Sequence, residues 1–203
     1  MFELEQATWL CGFLAARMSR SGRLGLVGGM ELPSIRSTFL AFRAGARAAA
    51  PDAKVQEVFV GRFEDVAGAR EAALALLEQG ADFLLHQANE AGRGVFQAVS
   101  EYARQGHTVY AFGTNRDQNA LAPDVILASA TLDIPAALLE VARRVQEGRF
   151  TAAPLRMGMA EGVVALVFNP ELEERVSAAL RDEIAELERR IRGGELVVPR
   201  GAF

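Results

Sequence analysis

The amino-acid sequence predicts an α/β fold with a parallel sheet flanked by helices. Short apolar runs, such as Leu24–Val27, are typical of strands that are buried on both faces. They alternate with longer segments in which apolar residues recur at helical spacing, and a new strand begins about every 30 residues. This alternation indicates right-handed βαβ units, whose strands lie parallel in one sheet.

The predicted strands are separated by glycine- and proline-bearing turns. The first lies in Arg23–Gly29 and ends in a Gly28-Gly29 turn, which lets the backbone bend sharply and leaves its N–H groups open to a ligand. The following strands are predicted at Lys54–Val60, Asp82–His86, Thr108–Phe112 and Asp124–Ser129, with a sixth apolar run at Val163–Val167 and a short terminal strand in the sequence GELVVP. Residues 151–162 are compatible with either loop or strand.

Helical periodicity and end signals place the helices between these strands. They are predicted at Glu5–Ser19, from Pro33 within Met30–Ala50, at Val66–Gln79, Val95–Arg104, Ile134–Glu147 and, as one long charged helix, Pro170–Arg192. The Ile134–Glu147 helix has an apolar stripe of Ile134, Leu138, Val141, Ala142 and Val145. The last helix has a similar stripe, with Val176, Leu180, Ile184, Leu187 and Ile191.

Composition excludes several classes of protein. The formal net charge is −4 and no basic stripe is present, so nucleic acid is not an expected partner. Cys11 is the only cysteine, which rules out an intrachain disulfide, and its helical, apolar surroundings favour a small buried residue over a reactive thiol. The sequence has no run long enough for a membrane span, and its acidic start is unlike a signal peptide. As written, the chain is predicted to be cytoplasmic.

Polar loops follow the first four strands, and they should meet at one edge of a parallel sheet. They contribute Gly28-Gly29, Phe63-Glu64-Asp65, Asn89-Glu90 and Asn115-Arg116-Asp117-Gln118. An aromatic ring, amides and carboxylates together suit a polar small molecule with a flat ring. Simpler interpretations stay open: a plain tight turn at Gly28-Gly29, a core position for Phe63, and helix or turn caps at Asp65 and Asp117.

The same loops do not favour catalysis. His86 ends one strand and His107 precedes the next, so the two imidazoles fall near opposite edges of the sheet. No Ser, His and acid cluster and no metal-ligand spacing is visible in the sequence. GLVGG lacks the third glycine of the dinucleotide fingerprint, so no cofactor is predicted, and no catalytic residue or metal ligand is assigned.

Several segments, taken in order, resemble the basic membrane protein (BMP) family. They are GRLGLVGGMELPSI, VFVGRFEDVAGAREAALALLEQGADFLL, NEAGRGV, TNRDQNALAPDVILAS and GELVVP. Members include substrate-binding proteins of ABC transporters, among them purine nucleoside receptor lipoproteins, and cytoplasmic Med-like regulators of competence. The resemblance runs over nearly the whole chain.

The resemblance implies a periplasmic-binding-protein type I-like fold, of which this chain matches the second, C-terminal lobe. Residues 1–132 would form the second-lobe ligand-binding domain, and residues 133–203 a hinge-crossing helix, a strand and a C-terminal helix that complete it, with the first lobe absent. If the chain is a fragment, the whole protein would be periplasmic or a membrane-anchored lipoprotein.

The resemblance also implies a ligand site. Phe63 matches the residue that stacks on the nucleoside base, and Asn89 lies in the loop that contacts the ligand through its backbone. Asn115 stands where the family usually has an Asp for the ribose, and Leu132 lies near the position of a ribose-contacting Lys. Together with the polar loops, this gives a predicted ligand-binding set of Gly28, Gly29, Phe63, Asp65, Asn89, Asn115 and Asp117.

The function predicted from the sequence is non-catalytic binding of a small ligand, in the first place a nucleoside, for transport. An ABC transporter permease would be a partner if a first lobe is supplied. The alternative is a Med-like regulatory or dimerisation module with no small ligand, and an enzyme of doubly wound fold is a third. The apolar stripe of the Ile134–Glu147 helix predicts a homodimer, with the stripe of the last helix as a second candidate surface.

Overall fold

One sheet of six strands is the centre of the computed structural model, which describes residues 1–201. The strands are β1 (Arg23–Gly28), β2 (Lys54–Phe59), β3 (Phe83–Gln87), β4 (Tyr110–Asn115), β5 (Ile126–Leu132) and β6 (Val164–Phe168). Their order across the sheet is β2-β1-β3-β4-β5-β6, and every neighbouring pair is parallel except β5 and β6. The α/β class and the mostly parallel sheet are therefore confirmed.

Helices cover both faces of the sheet. They are α1 (Glu5–Met18), α2 (Pro33–Ala49), α3 (Val66–Glu78), α4 (Gly92–Arg104), α5 (Ile134–Gln146) and α6 (Ala178–Arg192), and short 3₁₀ turns occur at Asn89–Ala91, Asn119–Leu121 and Glu173–Arg175. Helices α1, α2 and α6 share one hydrophobic cluster with Leu24 and Leu26 of β1. Helices α3 and α4 share the opposite cluster with Val27. Side chains of a strand alternate between its faces, so β1 contributes to both cores.

The antiparallel direction of β6 follows from the path of the chain around α5. Helix α5 begins just beyond the carboxyl end of β5, where Asp133 donates its backbone N–H to Val163 O at 2.8 Å. The chain then re-enters the sheet from that end, and Val164 pairs with Leu132. A strand that enters from the carboxyl end of its neighbour must run in the opposite direction.

Helix α4 begins three residues earlier than predicted, at Gly92 instead of Val95. Gly92 and Gly94 are poor helix formers, and their presence favoured a loop in the sequence. A Cβ atom at Gly92 would lie 2.2 Å from His86 Cε1, and one at Gly94 would lie 2.0 Å from Val66 O. The two glycines thus let α4 approach β3 and α3 closely.

The C-terminal region differs from the prediction in two ways. The predicted helix Pro170–Arg192 begins only at Ala178, because the Ser177 side chain caps it by accepting from the N–H of Leu180. The predicted strand in GELVVP is wrong. Leu196 and Val198 of that segment pack against the hydrophobic cluster that α1, α2 and α6 share, and not beside a strand. Just after it, Arg200 lies 3.4 Å from the Glu3 carboxylate and Gly201 donates to Ser37 Oγ.

The stripe of the last helix is not an interaction surface. Val176, Leu180, Ile184 and Ile191 are buried in the cluster shared with α1 and α2, and Leu187 packs against it. The prediction that this stripe offers a second dimer surface is therefore wrong. The helical period is correct from Leu180 to Ile191, although Val176 precedes α6, and the stripe packs against the chain's own core.

Candidate functional site

A cavity of about 360 Å³ lies beyond the carboxyl ends of β1 and β3. The chain continues from β1 to β2 on one side of this pair and from β3 to β4 on the other side. Open α/β sheets bind ligands at such a switch point. We call it the aromatic cavity because the ring of Phe63 forms part of its wall. Its lining residues are Met1, Phe2, Leu4, Glu5, Leu32, Ser34, Ile35, Thr38, Phe63, Gln87, Asn89, Asn115 and Leu132.

Phe63 is half-buried in the loop that follows β2. Its ring lies against Gly29, where a Cβ atom would be only 2.4 Å from Phe63 Cδ1. Backbone hydrogen bonds fix the loop, because Gly61 donates to Gly29 O at 2.9 Å and Ala91 donates to Phe63 O at 2.7 Å. The ring is thus held at the sheet edge and faces the cavity, where an apolar ring can stack against it.

Asn89 and Asn115 lie side by side on the cavity wall. Both have left-handed backbone conformations, with φ of 48° and 69°, which are uncommon outside glycine and best tolerated by asparagine. Asn115 Nδ2 donates to Asn89 Oδ1 at 3.3 Å. Each amide keeps further hydrogen-bonding capacity for a ligand, since a primary amide offers two donors and two acceptor lone pairs.

A second cavity, of about 520 Å³, adjoins the aromatic cavity. The two share Asn89, Asn115 and Leu132 as lining residues. We call the second the basic cavity because Arg93 and Arg116 line it. Its other lining residues are His86, Glu90, Thr114, Gln118, Leu121, Ile134 and Pro135.

A hydrogen-bond network fixes the floor of the basic cavity. Gln118 Oε1 accepts from His86 Nε2 at 2.9 Å and from the N–H of Thr114 at 2.8 Å. Ser129 Oγ accepts from the N–H of Gln118 and donates to Asn119 Oδ1 at 2.8 Å. The loop after β4 is therefore held in place by buried side chains.

His86 is neutral within this network. Burial lowers the pKa of its imidazole from 6.5 to about 4, against a smaller opposing effect of the hydrogen bond to Gln118. Its Nδ1 is the acceptor of a long contact, 3.4 Å, from the N–H of Ala88, which fits a proton on Nε2. His86 supports the loop, and its ring packs edge-on against Phe96.

Four of the seven predicted ligand residues do not line the aromatic cavity. Gly28 and Gly29 are buried, and a Cβ atom there would meet the rings of Phe59 and Phe63. The sequence predicted that the N–H of Gly29 is open to a ligand, but this N–H donates to Gln87 O at 3.0 Å. The two glycines therefore leave the space that the rings of Phe59 and Phe63 occupy.

The two aspartates have local structural roles. Asp65 caps α3 by accepting from the N–H of Gly68 at 2.8 Å. Asp117 closes a turn by accepting from the N–H of Asn119 at 2.9 Å. These are the cap interpretations that the sequence left open, and neither aspartate is among the residues that line the two cavities. Phe63, Asn89 and Asn115 do line the wall, and their contact with a ligand stays a prediction.

Sequence reasoning missed several residues of the wall. Thr38 and Ser34 come from the start of α2, Glu5 from α1 and Gln87 from the end of β3. Glu5 is buried and accepts from Ser37 Oγ at 2.5 Å. The only signal in the sequence was that these residues are polar and lie near the starts of helices or the end of a strand. Ordinary helix capping favours polar residues at such positions too, so the signal does not distinguish a binding residue from a cap.

Other kinds of site are not seen in the described part of the chain. Within residues 1–201, no three His, Cys, Asp or Glu side chains are grouped so as to hold a metal ion. None of the helices described is both long and apolar enough to span a membrane. Burial raises the pKa of the Cys11 thiol well above its usual range, which keeps the thiol protonated.

Comparison with known proteins identifies the family. The sequence profile of Bmp, the ABC transporter substrate-binding protein PnrA-like family, matches residues 1–200. The chain belongs to this family. Basic membrane protein A2 of Borrelia garinii subsp. bavariensis is 32% identical over 200 residues, which are 98% of this chain and 58% of that protein. The chain thus spans a little over half the length of this relative.

Solved structures agree in fold. An ABC transporter solute-binding protein from Conexibacter woesei has a TM-score of 0.78 at 28% identity, covering 98% of this chain and 64% of that one. A transcriptional activator of the comK gene from Bacillus halodurans has a TM-score of 0.80 at 24% identity, covering 95% and 64%. The second likeness concerns the fold alone. These similarities confirm the periplasmic-binding-protein type I-like fold that the sequence predicted.

Proposed function

We propose that this chain is the ligand-binding lobe of a non-catalytic substrate-binding protein, whose ligand is a nucleoside or a related molecule with a flat ring. The observation that carries the proposal is the aromatic cavity at the switch point of the sheet, which is lined both by the half-buried Phe63 ring and by the hydrogen-bonded pair Asn89 and Asn115. Family membership supports binding of a small molecule. The aromatic ring and the paired amides support the nucleoside.

The chemistry of the cavity fits a ligand with one flat apolar end and one hydroxylated end. Phe63 would stack on a base, which contributes roughly 1–3 kcal/mol in single-stranded nucleic-acid sites. Asn89 and Asn115 would hydrogen-bond ribose hydroxyls. Leu132, also on the wall, adds apolar contact but no hydrogen bond.

The transport role extends this proposal to partners. An ABC transporter permease would receive the ligand from the protein of which this lobe is a part, and that protein would work in the periplasm or as a lipoprotein at the membrane surface. In this arrangement residues 1–132 hold the ligand, and the described chain from residue 133 to 201 crosses a hinge and completes the fold. The family of ABC transporter substrate-binding proteins supports this role.

A second candidate function rests on α5. Ile134, Leu138, Leu139 and Val145 of this helix are exposed, and they form an apolar face at helical spacing. We propose that this face pairs two copies of this chain around a two-fold axis, with at least about 1,000 Å² buried in total. Such pairing suits a Med-like regulatory module as well as a transport protein.

The test of ligand binding is a titration of the chain with inosine and with adenosine, in which the NMR signals of the nucleoside are monitored. The lobe contacts a ligand from one side, so we expect dissociation constants around millimolar. Phe63→Leu keeps apolar volume but removes the ring face, and it should weaken binding roughly tenfold. Phe150→Leu, at an exposed ring that lines neither cavity, is the matched control and should change nothing.

Two results would overturn the nucleoside proposal. One is equal binding by wild type and Phe63→Leu, which would remove the stacking role. The other is the absence of chemical-shift or line-width changes with either nucleoside up to about 10 mM, a concentration at which millimolar sites are mostly occupied.

A further inference from the structure

The basic cavity shares a wall with the aromatic cavity, formed by Asn89, Asn115 and Leu132. A ligand whose ring lies on Phe63 and whose polar end reaches the two asparagines therefore has that end beside the basic cavity. What the basic cavity can accept is decided by the groups that line it.

The charges around the basic cavity are predominantly positive. Arg93 pairs with Glu90 at 3.2 Å, so these two charges largely offset each other. Arg116 is exposed and has no ion-pair partner among residues 1–201. His86 is neutral, and Asn115 on the shared wall is a neutral amide that does not repel an anion. One guanidinium is thus left available, and guanidinium groups match phosphate and carboxylate oxygens in charge and geometry.

Thr114 gives a second, independent observation. Thr114 is only 1% exposed. Within residues 1–201, its Oγ1 is the buried side-chain polar atom that has no hydrogen-bond partner. A buried hydroxyl without a partner destabilises a fold, so such an atom at a cavity wall calls for an explanation. Thr114 lines the basic cavity, where an oxygen of a ligand would provide the missing hydrogen bond.

The cavity is also preorganised. Gln118 binds His86 and the backbone of Thr114, and Ser129 binds the backbone of Gln118, so the strand end and the loop that carry Thr114 and Arg116 are fixed from below. A preorganised donor set binds with less loss of conformational entropy than a mobile one.

We propose that the basic cavity is a subsite for an anionic substituent, a phosphate or carboxylate, on the polar end of the ligand held in the aromatic cavity. Arg116 supplies the charge and Thr114 Oγ1 a hydrogen bond. The inference rests on the proposed function, and it narrows the ligand class from neutral nucleosides to nucleotide-like molecules with a negatively charged end.

The experiment compares inosine, inosine 5′-monophosphate and inorganic phosphate on the full chain at low ionic strength, by NMR titration. We expect the monophosphate to bind at least about tenfold more tightly than inosine, as one charge-assisted hydrogen bond allows. That ratio should fall as salt is raised. Inorganic phosphate should bind much more weakly than the monophosphate, because it lacks the ring.

Two variants assign the effect to residues. Arg116→Gln should reduce the affinity for the monophosphate at least fivefold more than the affinity for inosine. Arg47→Gln is the matched control, since Arg47 is an exposed arginine of α2 that lines neither cavity, and both affinities should stay unchanged. Thr114→Val should weaken binding of the monophosphate without lowering the thermal stability of the chain, because it removes an unpaired buried hydroxyl.

The failures are distinguishable. Inosine binding with no gain for the monophosphate would overturn the subsite and leave the nucleoside proposal standing. Binding of inorganic phosphate as tight as that of the monophosphate would also overturn it, because the cavity would then be a separate anion site. If neither inosine nor its monophosphate binds, both proposals are wrong.

Discussion

Helices α4 and α5 are equal in length, at 13 residues each, and both are amphipathic, yet their apolar faces have opposite surroundings. Helix α4 buries Val95, Phe96, Ala98 and Val99 between α3 and the sheet. Helix α5 buries only Ala137 fully, with Val141 half-buried beside Met157 and Val163. An apolar stripe at helical spacing therefore does not by itself show that a helix is packed within its own folded unit.

The largest expected difference between the two helices is in folding stability. Phe96→Ala leaves a cavity between α4 and β3 and should lower the free energy of unfolding by about 3–5 kcal/mol. Leu138→Ala removes a side chain that is 66% exposed, and it should change the free energy by less than about 0.5 kcal/mol in the monomer. Urea unfolding at low protein concentration measures both. A loss of stability at Leu138 as large as that at Phe96 would show that α5 is covered by the chain itself.

The α4 interface should also make the fold sensitive to acid. The pKa of His86 is about 4 in the folded chain and about 6.5 when unfolded, so the unfolded state binds the proton more readily. His86 therefore favours unfolding as the pH falls from about 6.5 towards 4, and the loss approaches roughly 3 kcal/mol at the lower end. Stability is unaffected by this group above pH 7.

Unfolding curves measured from pH 7.5 to 4.5 test the role of His86. His86→Gln should be less stable than the wild type at pH 7.5, because it disturbs the contact with Phe96, but its stability should fall less steeply with acid. Parallel pH curves for the two proteins would contradict the assignment. Carboxylates titrate in both proteins, so only the difference between the curves reports on His86.

The sequence predicted α4 and its interface less well than the strands. The six strands of the sheet were predicted because short runs of β-branched and apolar residues are compatible with few structures other than a buried strand. Strands β4 and β5 nevertheless each begin two residues after the predicted start. Strand β4 also ends three residues after its predicted end, at Asn115 instead of Phe112, and so Thr114 and Asn115 lie at the end of the strand and not in a loop. The start of α4 was missed because Gly92 and Gly94 serve tertiary contact with His86 and Val66, which no local pattern reveals.

The same limit applies to the candidate site. Phe63, Asn89 and Asn115 were found because a parallel sheet brings the ends of its strands together, and the structure places all three on one cavity wall. Asp65 and Asp117 were named because carboxylates bind ligands, but capping uses the same residues at the same positions. Thr114 was not named, since a threonine at a strand end is ordinary until its hydroxyl is seen to lack a partner.

The smallest expected effect on folding, and the sharpest test of the comparison, is a charge on α5. Leu138→Asp places a carboxylate on the exposed apolar face and should leave the unfolding free energy of the monomer within about 0.5 kcal/mol of the wild type. In the assembly the same carboxylate would lose its water without gaining a partner, which strongly disfavours association. Light scattering at micromolar concentration should therefore give about twice 21.9 kDa for the wild type and 21.9 kDa for the variant.

Glu183→Gln, on the charged side of α6, serves as a control for surface substitution and should remain a dimer, although it weakens the pair with Arg17. A wild type that is monomeric at these concentrations would contradict the homodimer. This chain spans 58% of the length of the A2 protein. A monomeric wild type would therefore favour the idea that the additional part of such relatives packs on this face of α5.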